Sequence, residues 1–351
     1  MDVVALCARR PDVVRAVADR LGIPEASTDW ARTLAATAPD IVSVATPAAL
    51  RRAVVAAAAA RGAHVLCDKP LAATAAEAEA LYRLVAGAGV KHAYGATHRY
   101  DPSVAWLAEL IRSGKIGALR EGLMTLRFGL PPLLPWSWAM VLADGGGVLN
   151  NVAPHLFGLL AAITGGGLAA AVGTARRTVD QAPVVPDLHD FRAWLAAARA
   201  LTPAAAAGLE WRPCDGDGAF AALLRFRTAA GSVPVTLVAG PGPHAPGETN
   251  RLRLHGEAGA LIAEGQFSFQ VSYLEGPEAA PEPLPVPQRL VDALPPAADS
   301  VQRKWCALAR DFVADVRGAP HQPYLTFRDG WRYQAAIDAI RAGRGWIDLP
   351  D

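Results

Sequence analysis

The segment Cys67-Asp68-Lys69-Pro70 places a lysine at the end of an apolar run, 63–67, that predicts a β-strand. In an open α/β sheet, ligands bind in the crevice outside the carboxyl ends of the strands, so Lys69 would border a ligand. Its ammonium could donate to a substrate hydroxyl and stabilise the alkoxide that develops as hydride leaves. A surface lysine before a turn proline is the alternative, and position alone does not separate the two interpretations.

Asn151 and His155 follow three consecutive glycines, 145–147, in a segment that predicts a helix. Residues four apart share one face of a helix, so both side chains would face the same neighbour. If the helix starts near Asn151, the positive end of its dipole disfavours imidazolium and keeps His155 neutral. A neutral imidazole can accept the proton of a hydroxyl group, as alcohol oxidation requires. A structural histidine in an apolar helix is the competing interpretation.

The elements that would position these residues differ between the two halves of the chain. Helical segments that start or end at Pro11, Gly22, Gly62 and Thr74 alternate with four apolar runs that predict strands, at 3–7, 41–45, 63–67 and 90–96. Strands that alternate with helices form a parallel sheet covered on both faces, which is the doubly wound architecture. The first half therefore predicts a nucleotide-binding type of fold.

Successive strands replace the alternation after a helix from Pro102 to Gly114. Strands are predicted at 119–128, 220–226, 233–238, 251–255 and 267–273, and further helices at 191–200, 300–317 and 327–341. We therefore predict a parallel α/β domain over residues 1–97 and an α+β domain with an open, largely antiparallel sheet over residues 98–351.

Composition excludes several classes of function. With 34 basic and 33 acidic side chains and a formal charge of +1, no bulk electrostatic attraction to nucleic acid is expected. No signal peptide is predicted, because no basic region precedes the apolar run at Val3, and no membrane span is predicted, because no stretch reaches about 18 uninterrupted apolar residues. The four cysteines lie far apart and form no C-x-x-C pair, which indicates reduced thiols and no metal site. We expect a cytoplasmic protein.

The succession of motifs resembles the Gfo/Idh/MocA family of oxidoreductases. It comprises V-A-T-P at 44–47, H-V-L-C-D-K-P at 64–70, H-R-Y-D-P at 98–102, S-G-K-I-G at 113–117 and the segment from the glycines to His155. The resemblance covers the chain from residue 2 to its end, weakly between about 180 and 300. It implies a Rossmann-like domain, a second domain whose open sheet mediates homo-oligomerisation, and a nicotinamide-dependent enzyme acting on a sugar, an inositol or a related polyol.

The resemblance also implies roles for individual residues. Lys69 matches the lysine of the family's E-K-P motif, here D-K-P, and His155 matches the catalytic histidine. Asn151 and Gly158 stand where relatives often have aspartate, so a carboxylate partner for the histidine is missing. Expected catalytic residues are Lys69, His155 and Asn151; expected cofactor contacts are Arg9, Arg10, Thr46, Pro47, Asp68, Lys69 and Pro70; expected substrate contacts are Lys69, His98, Arg99, Asn151 and His155.

Cofactor preference is indicated by Arg9 and Arg10, which follow the first predicted strand. Relatives that prefer NAD tend to have an acidic residue here for the ribose hydroxyls, whereas arginine accommodates a 2′-phosphate. The two arginines therefore favour NADP over NAD. Solvated residues before a helix are an equally good explanation of both side chains.

The first strand and glycine-rich turn of the family pattern have no counterpart before residue 3. Those glycines let the backbone approach the cofactor's pyrophosphate, and the strand is central in the order 3-2-1-4-5-6. Its loss would separate the sheet into two halves and weaken cofactor binding.

Three hypotheses account for this beginning. The biological protein begins about 20–30 residues earlier, with one more strand, turn and helix, and this is the hypothesis we favour. Alternatively, the chain is an inactive relative that binds a sugar or a partner as a regulator. The third hypothesis is a family enzyme with unusual chemistry, such as an NAD-dependent glycosidase.

Overall fold

The computed structural model describes residues 1–188, 190–242, 250–276 and 278–350. The first part of the chain alternates short strands with helices. In chain order these elements are β1 (Ala5–Cys7), α1 (Pro11–Leu21), β2 (Glu25–Ser27), α2 (Trp30–Thr37), β3 (Ile41–Val44), α3 (Arg51–Ala59), β4 (His64–Asp68), α4 (Ala75–Gly87) and β5 (His92–Gly95). All strand pairs among them are parallel.

These five strands form two separate sheets, as predicted. One sheet pairs β1 with β2, and the other has the order β3-β4-β5. Among the described residues, β1 therefore has a strand partner on one side only, and so does β3. A cavity of about 3790 Å³ is lined by residues 1–9 and 37–47, so it extends between these two strands. Small-molecule pockets usually measure about 300–1,000 Å³, so this cleft is larger than the pocket of one small ligand.

The rest of the chain forms a mixed sheet with helices on one face. Its elements are α5 (Pro102–Arg112), β6 (Leu119–Phe128), α6 (Val148–Thr164), β7 (Gly167–Arg176), β8 (Gln181–Pro183), α7 (Phe191–Ala200), α8 (Pro203–Ala206), β9 (Trp211–Pro213), β10 (Ala219–Thr228), β11 (Gly231–Pro241), β12 (Arg251–Gly256), β13 (Gly259–Glu264), β14 (Gln270–Leu274), β15 (Glu282–Pro283), α9 (Gln288–Asp292), α10 (Ser300–Val316), α11 (Phe327–Ala342) and β16 (Ile347–Asp348).

Nine of these strands hydrogen-bond in the order β15-β14-β13-β12-β6-β11-β10-β7-β16. Every neighbouring pair is antiparallel except β6 and β11. Burial alternates along β6, with Met124 and Leu126 inside and Leu123 and Thr125 exposed, because successive side chains of a strand point to opposite faces. In the same sheet, β7 and β10 pack against α6 and α11. The predicted fold class, a parallel α/β layer followed by an open, largely antiparallel sheet, is confirmed.

The last two long helices pack back onto the parallel strands. Leu308 and Phe312 of α10 join Leu66 of β4 and Ala93 of β5 in one buried cluster, and α11 packs against α4. The C-terminal helices thus tie the two parts of the chain together. A domain boundary near residue 97 stays a prediction.

Several elements escaped the sequence patterns. Strand β2 is short and contains Glu25 and Ser27, so no apolar run marks it, and the alanine-rich β7 has few of the bulky residues that indicate strands. Among the described residues, no helix is both long and apolar enough to cross a bilayer.

Candidate functional site

Helix α6, which carries Asn151 and His155, begins earlier than the sequence indicated. Its first residue is Val148, and Gly147 occupies the N-cap position without a side chain. Asp217 supplies the missing cap from another loop, because its Oδ1 accepts from the amide of Leu149 at 2.7 Å and its carbonyl accepts from that of Val148 at 2.8 Å. Arg341 of α11 holds this carboxylate at 2.9 Å. The helix therefore does not start near Asn151, since three residues of α6 precede it.

The three glycines before α6 are packed closely against other segments. A Cβ at Gly145 would lie 2.5 Å from the Cβ of Ala48, and one at Gly147 would lie 2.6 Å from Oδ2 of Asp217. Ala48 belongs to the first part of the chain and Asp217 to the second. The triple glycine is thus a close contact between both parts, and it fixes where α6 starts.

Lys69 reaches helix α6 from the end of β4. Its Nζ donates to the carbonyl of Asn151 at 2.9 Å and lies 3.5 Å from Oδ1 of the same residue. Burial lowers the pKa of Lys69, the carboxylate of Asp68 opposes this shift, and the charge of Arg51 adds to it. A lysine at the end of the strand is therefore held at the helix that carries His155.

Arg51 stabilises the loop that contains Lys69. Its guanidinium is buried and donates to the carbonyls of Thr46, Asp68, Lys69 and Pro70. Its partners are backbone oxygens, so no pattern in the sequence could reveal this role.

Two histidines meet at the inner end of the cleft. The rings of His98 and His155 have centroids 4.2 Å apart, and His98 stacks on Phe267 with centroids 4.1 Å apart and planes within 1°. Burial lowers the pKa of His155 well below its ordinary value, and the nearby His98, Lys69 and Lys304 act in the same direction. His155 stands two turns inside α6, where the helix dipole has little effect. Burial, rather than the predicted dipole, is thus the main reason that His155 stays neutral.

A buried ion pair lies behind His98. Nζ of Lys304 is 2.9 Å from Oδ2 of Asp101 and 3.5 Å from Nδ1 of His98, and both charged side chains are at most 3% exposed. The pKa of His98 falls to about 3, mainly through burial and then through the charge of Lys304, while Asp101 opposes the shift. The sequence analysis overlooked Lys304, although it shares a helical stripe with the buried Leu308 and Phe312, and a charge on such a stripe is a signal.

The cleft brings together most of the residues that the sequence singled out. Its lining includes Arg9, Thr46, Pro47, Lys69, His98, Asn151 and His155. Asp68 and Pro70 lie behind Lys69 and contact Arg51 through their carbonyls. Arg10 pairs with Asp12 at 3.1 Å. Arg99 is not brought to the cleft, and borders a separate cavity of about 350 Å³ beside Arg332.

The two ends of the cleft fit a dinucleotide unequally. At the reacting end, Thr46 Oγ1 is buried without a hydrogen-bond partner among the described residues, and so is Nδ1 of His155, so both are available to a bound group. At the far end, the exposed Arg9 is available to a phosphate. Within residues 1–97, all of them described, no glycine-rich turn precedes a helix, although such a turn is the usual device for binding a pyrophosphate.

Comparison with known families places this cleft in context. A family model described as "Oxidoreductase family, NAD-binding Rossmann fold" matches residues 1–96, and one described as "GFO/IDH/MocA C-terminal domain" matches residues 104–262. The two matches extend over both sides of the cleft and over most of the chain.

Individual relatives resemble parts of the chain. The levoglucosan dehydrogenase of Pseudarthrobacter phenanthrenivorans is 29% identical over 158 residues, or 44% of this chain and 40% of the relative. The D-xylose 1-dehydrogenase (NADP(+)) 2 of Haloferax volcanii is 37% identical over 130 residues, or 37% and 40%. The alignments thus span about two fifths of the length of these relatives.

A solved complex of levoglucosan dehydrogenase with NADH and L-sorbose superimposes with a TM-score of 0.77 at 22% identity. The superposition covers 99% of this chain and 90% of that one. At this identity the likeness concerns the fold alone.

Proposed function

The chain belongs to the Gfo/Idh/MocA family of oxidoreductases, and we propose that it transfers hydride between a carbinol of a sugar, inositol or related polyol and a nicotinamide cofactor. One observation carries this proposal. Lys69 meets Asn151 and His155 in one cleft although Lys69 and Asn151 are 82 residues apart in the chain, and burial keeps His155 neutral. A neutral base beside a fixed ammonium suits the removal of a hydroxyl proton.

The protein's own groups would act on the substrate hydroxyl. In the oxidation direction its O–H and C–H bonds break, a C=O bond forms, and the nicotinamide ring supplies the acceptor for the hydride. His155 takes the hydroxyl proton, and Lys69 stabilises the negative charge that develops on the oxygen. Asn151 positions the lysine through its backbone carbonyl. Because Asn151 is an amide, it cannot offset an imidazolium charge as a carboxylate would.

We assign the cofactor to residues 1–97 and the substrate to residues 98–351. Within the first part, Arg9 favours NADP over NAD, since its guanidinium suits a 2′-phosphate. We place Thr46 and Pro47 at the nicotinamide end, because Arg51 donates to the carbonyls of both Thr46 and Lys69 and so holds the two segments together. Arg10 is a less suitable phosphate ligand because Asp12 already pairs with it.

The exposed face of the nine-stranded sheet is our proposed contact between subunits. Leu123 of β6 is 42% exposed and Leu223 of β10 is 36% exposed, and both stand on the face opposite the helices. Large apolar residues on a shared open face favour association.

We place the protein in the cytoplasm, in line with its four free thiols at Cys7, Cys67, Cys214 and Cys306.

A turnover assay tests the proposed activity. The protein is mixed with NADP or NAD and a panel of sugars, glycosides and inositols, and with the reduced cofactors and the corresponding ketones, while nicotinamide absorbance is followed. We expect turnover of at least one substrate, and a loss of about 10²- to 10³-fold in kcat for Lys69→Met. Lys91→Met is the control, because Lys91 is an exposed lysine that pairs with Asp315.

Two results would count against the proposal. The first is cofactor binding without turnover on the whole panel. The second is a Lys69→Met variant as active as Lys91→Met, which would make the lysine structural.

A further inference from the structure

His98 and Asp101 are two ends of one turn that a single lysine contacts. The amide of Asp101 donates to the carbonyl of His98 at 3.1 Å, which closes the turn. Lys304 approaches from α10 and places its Nζ between the carboxylate of Asp101 and Nδ1 of His98. The lysine is anchored, because the next two turns of α10 are buried against β4 and β5 through Leu308 and Phe312.

The remaining hydrogen bonds of Asp101 hold its carboxylate in place. Its Oδ1 accepts from the amide of Ser103 at 3.1 Å and from the hydroxyl of Ser103 at 2.6 Å, where it caps α5. That hydroxyl in turn accepts from the amide of Phe269 at 3.0 Å. Both oxygens of the carboxylate are therefore hydrogen-bonded, and its position fixes that of the lysine.

The contact between Lys304 and His98 determines which nitrogen of the ring carries the proton. An ammonium only donates hydrogen bonds, so Nδ1 of His98 must accept. In a neutral imidazole the other nitrogen then carries the hydrogen. His98 borders the cleft, so the single N–H that it can offer is at Nε2.

We propose that Lys304 is a positioning residue that holds His98 in the Nε2–H tautomer, so that His98 donates a hydrogen bond in the cleft and His155 is left as the proton acceptor. The first part stands on geometry alone. The second part rests on the proposed function, because it assigns different roles to two histidines beside the reacting carbinol. His98 thus joins Lys69 as a second donor to the substrate oxygen.

The charged groups around His98 favour its neutral form. Lys304 and Lys69 lie near its ring, the ring of His155 packs against it, and Asp101 is the single opposing carboxylate among the groups that perturb its pKa. One face of the His98 ring stacks on the apolar ring of Phe267. Two cations against one anion make protonation of His98 costly, so it keeps its tautomer at acidic pH.

A purely structural role for the ion pair is the competing explanation. Buried pairs seldom add stability over apolar residues of similar size, since the cost of removing both charges from water offsets their attraction. The test must therefore measure the state of His98 and not stability alone.

The test uses isotope-edited NMR of the protein with labelled histidine rings, with His98 assigned through His98→Gln. The test variant is Lys304→Met/Asp101→Asn, which removes both charges and keeps an oxygen to cap α5. The control is Lys91→Met/Asp315→Asn, which neutralises an exposed pair with a similar distance of 3.0 Å.

In the unmodified protein and in the control we expect one His98 tautomer, with Nδ1 unprotonated and no protonation at pH 5. In the test variant we expect a mixture of tautomers and a His98 pKa that moves towards the ordinary value of about 6.5. A protonated Nδ1 in the unmodified protein overturns the proposal even if the variant does not fold. An unchanged tautomer in a folded test variant overturns it as well.

An activity measurement separates this inference from the proposed function. On any substrate that is turned over, the test variant should lose about tenfold in kcat, the value of one hydrogen bond, with a smaller change in KM. Its pH–rate profile should gain an inflection from His98, and the control should not. If the unmodified protein turns over nothing, the proposed function fails, whereas the NMR result still decides the role of Lys304.

Discussion

The nine-stranded sheet and the two-stranded sheet of β1 and β2, which both border the cleft, differ in how their strands are paired. In the nine-stranded sheet, β10 pairs along most of its length with β7 on one side and β11 on the other. In the parallel layer, β1 is a three-residue strand paired with β2 alone among the described residues. The end of the cleft that carries His155 therefore rests on extensive pairing, and the end that carries Arg9 rests on a narrow two-stranded sheet.

This difference separates the chemistry of the site from cofactor recognition. Lys69 and His98 follow β4 and β5, which are paired and packed against α10 and α11, so the reacting end is fixed before any ligand binds. Arg9 follows β1, whose free edge borders the cavity. We expect the nucleotide end to be ordered by its ligand and the reacting end to be preorganised.

Hydrogen exchange tests the contrast most directly. Amides of β1 and β2 should exchange at least about a thousandfold faster than those of β10 and β11, because local opening costs little where a sheet has few partners. The measurement is native-state hydrogen–deuterium exchange read by mass spectrometry. Strands β3, β4 and β5 serve as the internal reference, and they should fall between the two extremes. Equal protection in all sheets would mean that the free edges of β1 and β3 are paired in solution.

Removing the proposed base probes the preorganised end. His155→Ala should lower kcat by about 10²- to 10⁴-fold, while cofactor affinity stays within a few-fold, because the histidine acts on the substrate proton. Since the pKa of His155 is lowered, the neutral base persists below the usual titration range of histidine. The acidic limb of the kcat profile should therefore lie below about pH 6.

His321→Ala is the matched control, because His321 is a partly exposed histidine that pairs with Asp315 and does not line the cleft. Full activity of His155→Ala would show that the histidine is structural and that Lys69 must be examined as the base.

The difference between the two ends also explains what the sequence could predict. Lys69, Asn151 and His155 stand in motifs at strand and helix ends, and the structure brings all three to one cleft. Strand β2 carries polar residues at the edge of a small sheet, and Asp217 caps α6 from another segment. Neither the strand nor the cap produces a periodic pattern in the sequence, because the contacts that stabilise them come from distant parts of the chain.

The causes of the pKa shifts were harder to predict than their direction. The sequence attributes the neutral state of His155 to a helix dipole, whereas burial dominates and the nearby His98, Lys69 and Lys304 act in the same direction. The neighbours of the two histidines include Phe267, which lies between β13 and β14 and stacks on His98, and Lys304 of α10. Sequence spacing cannot supply such contacts between segments.

A glycine substitution tests the close contact that joins the two parts. Gly147→Ala should destabilise the protein by about 1–3 kcal/mol, because φ is 94° and the new Cβ would meet the carboxylate of Asp217 at 2.6 Å. Urea unfolding measures the change. Gly87→Ala is the control, since a Cβ there meets nothing within 4 Å and it ends helix α4, so its effect should stay within about 1 kcal/mol. Equal effects would remove the packing argument for the triple glycine.

The smallest expected effect concerns the nucleotide end and discriminates between the two cofactors. Arg9→Ser should weaken NADPH binding by about ten- to a hundredfold, the value of a hydrogen bond between charged groups, and leave NADH binding nearly unchanged. Arg10→Ser is the control, because Arg10 already pairs with Asp12. The measurement is titration of cofactor fluorescence at fixed ionic strength, since salt screens an exposed arginine. Equal losses for NADPH and NADH would place Arg9 at a phosphate that both cofactors share. No loss for either would leave Arg9 a solvated residue and remove the preference for NADP.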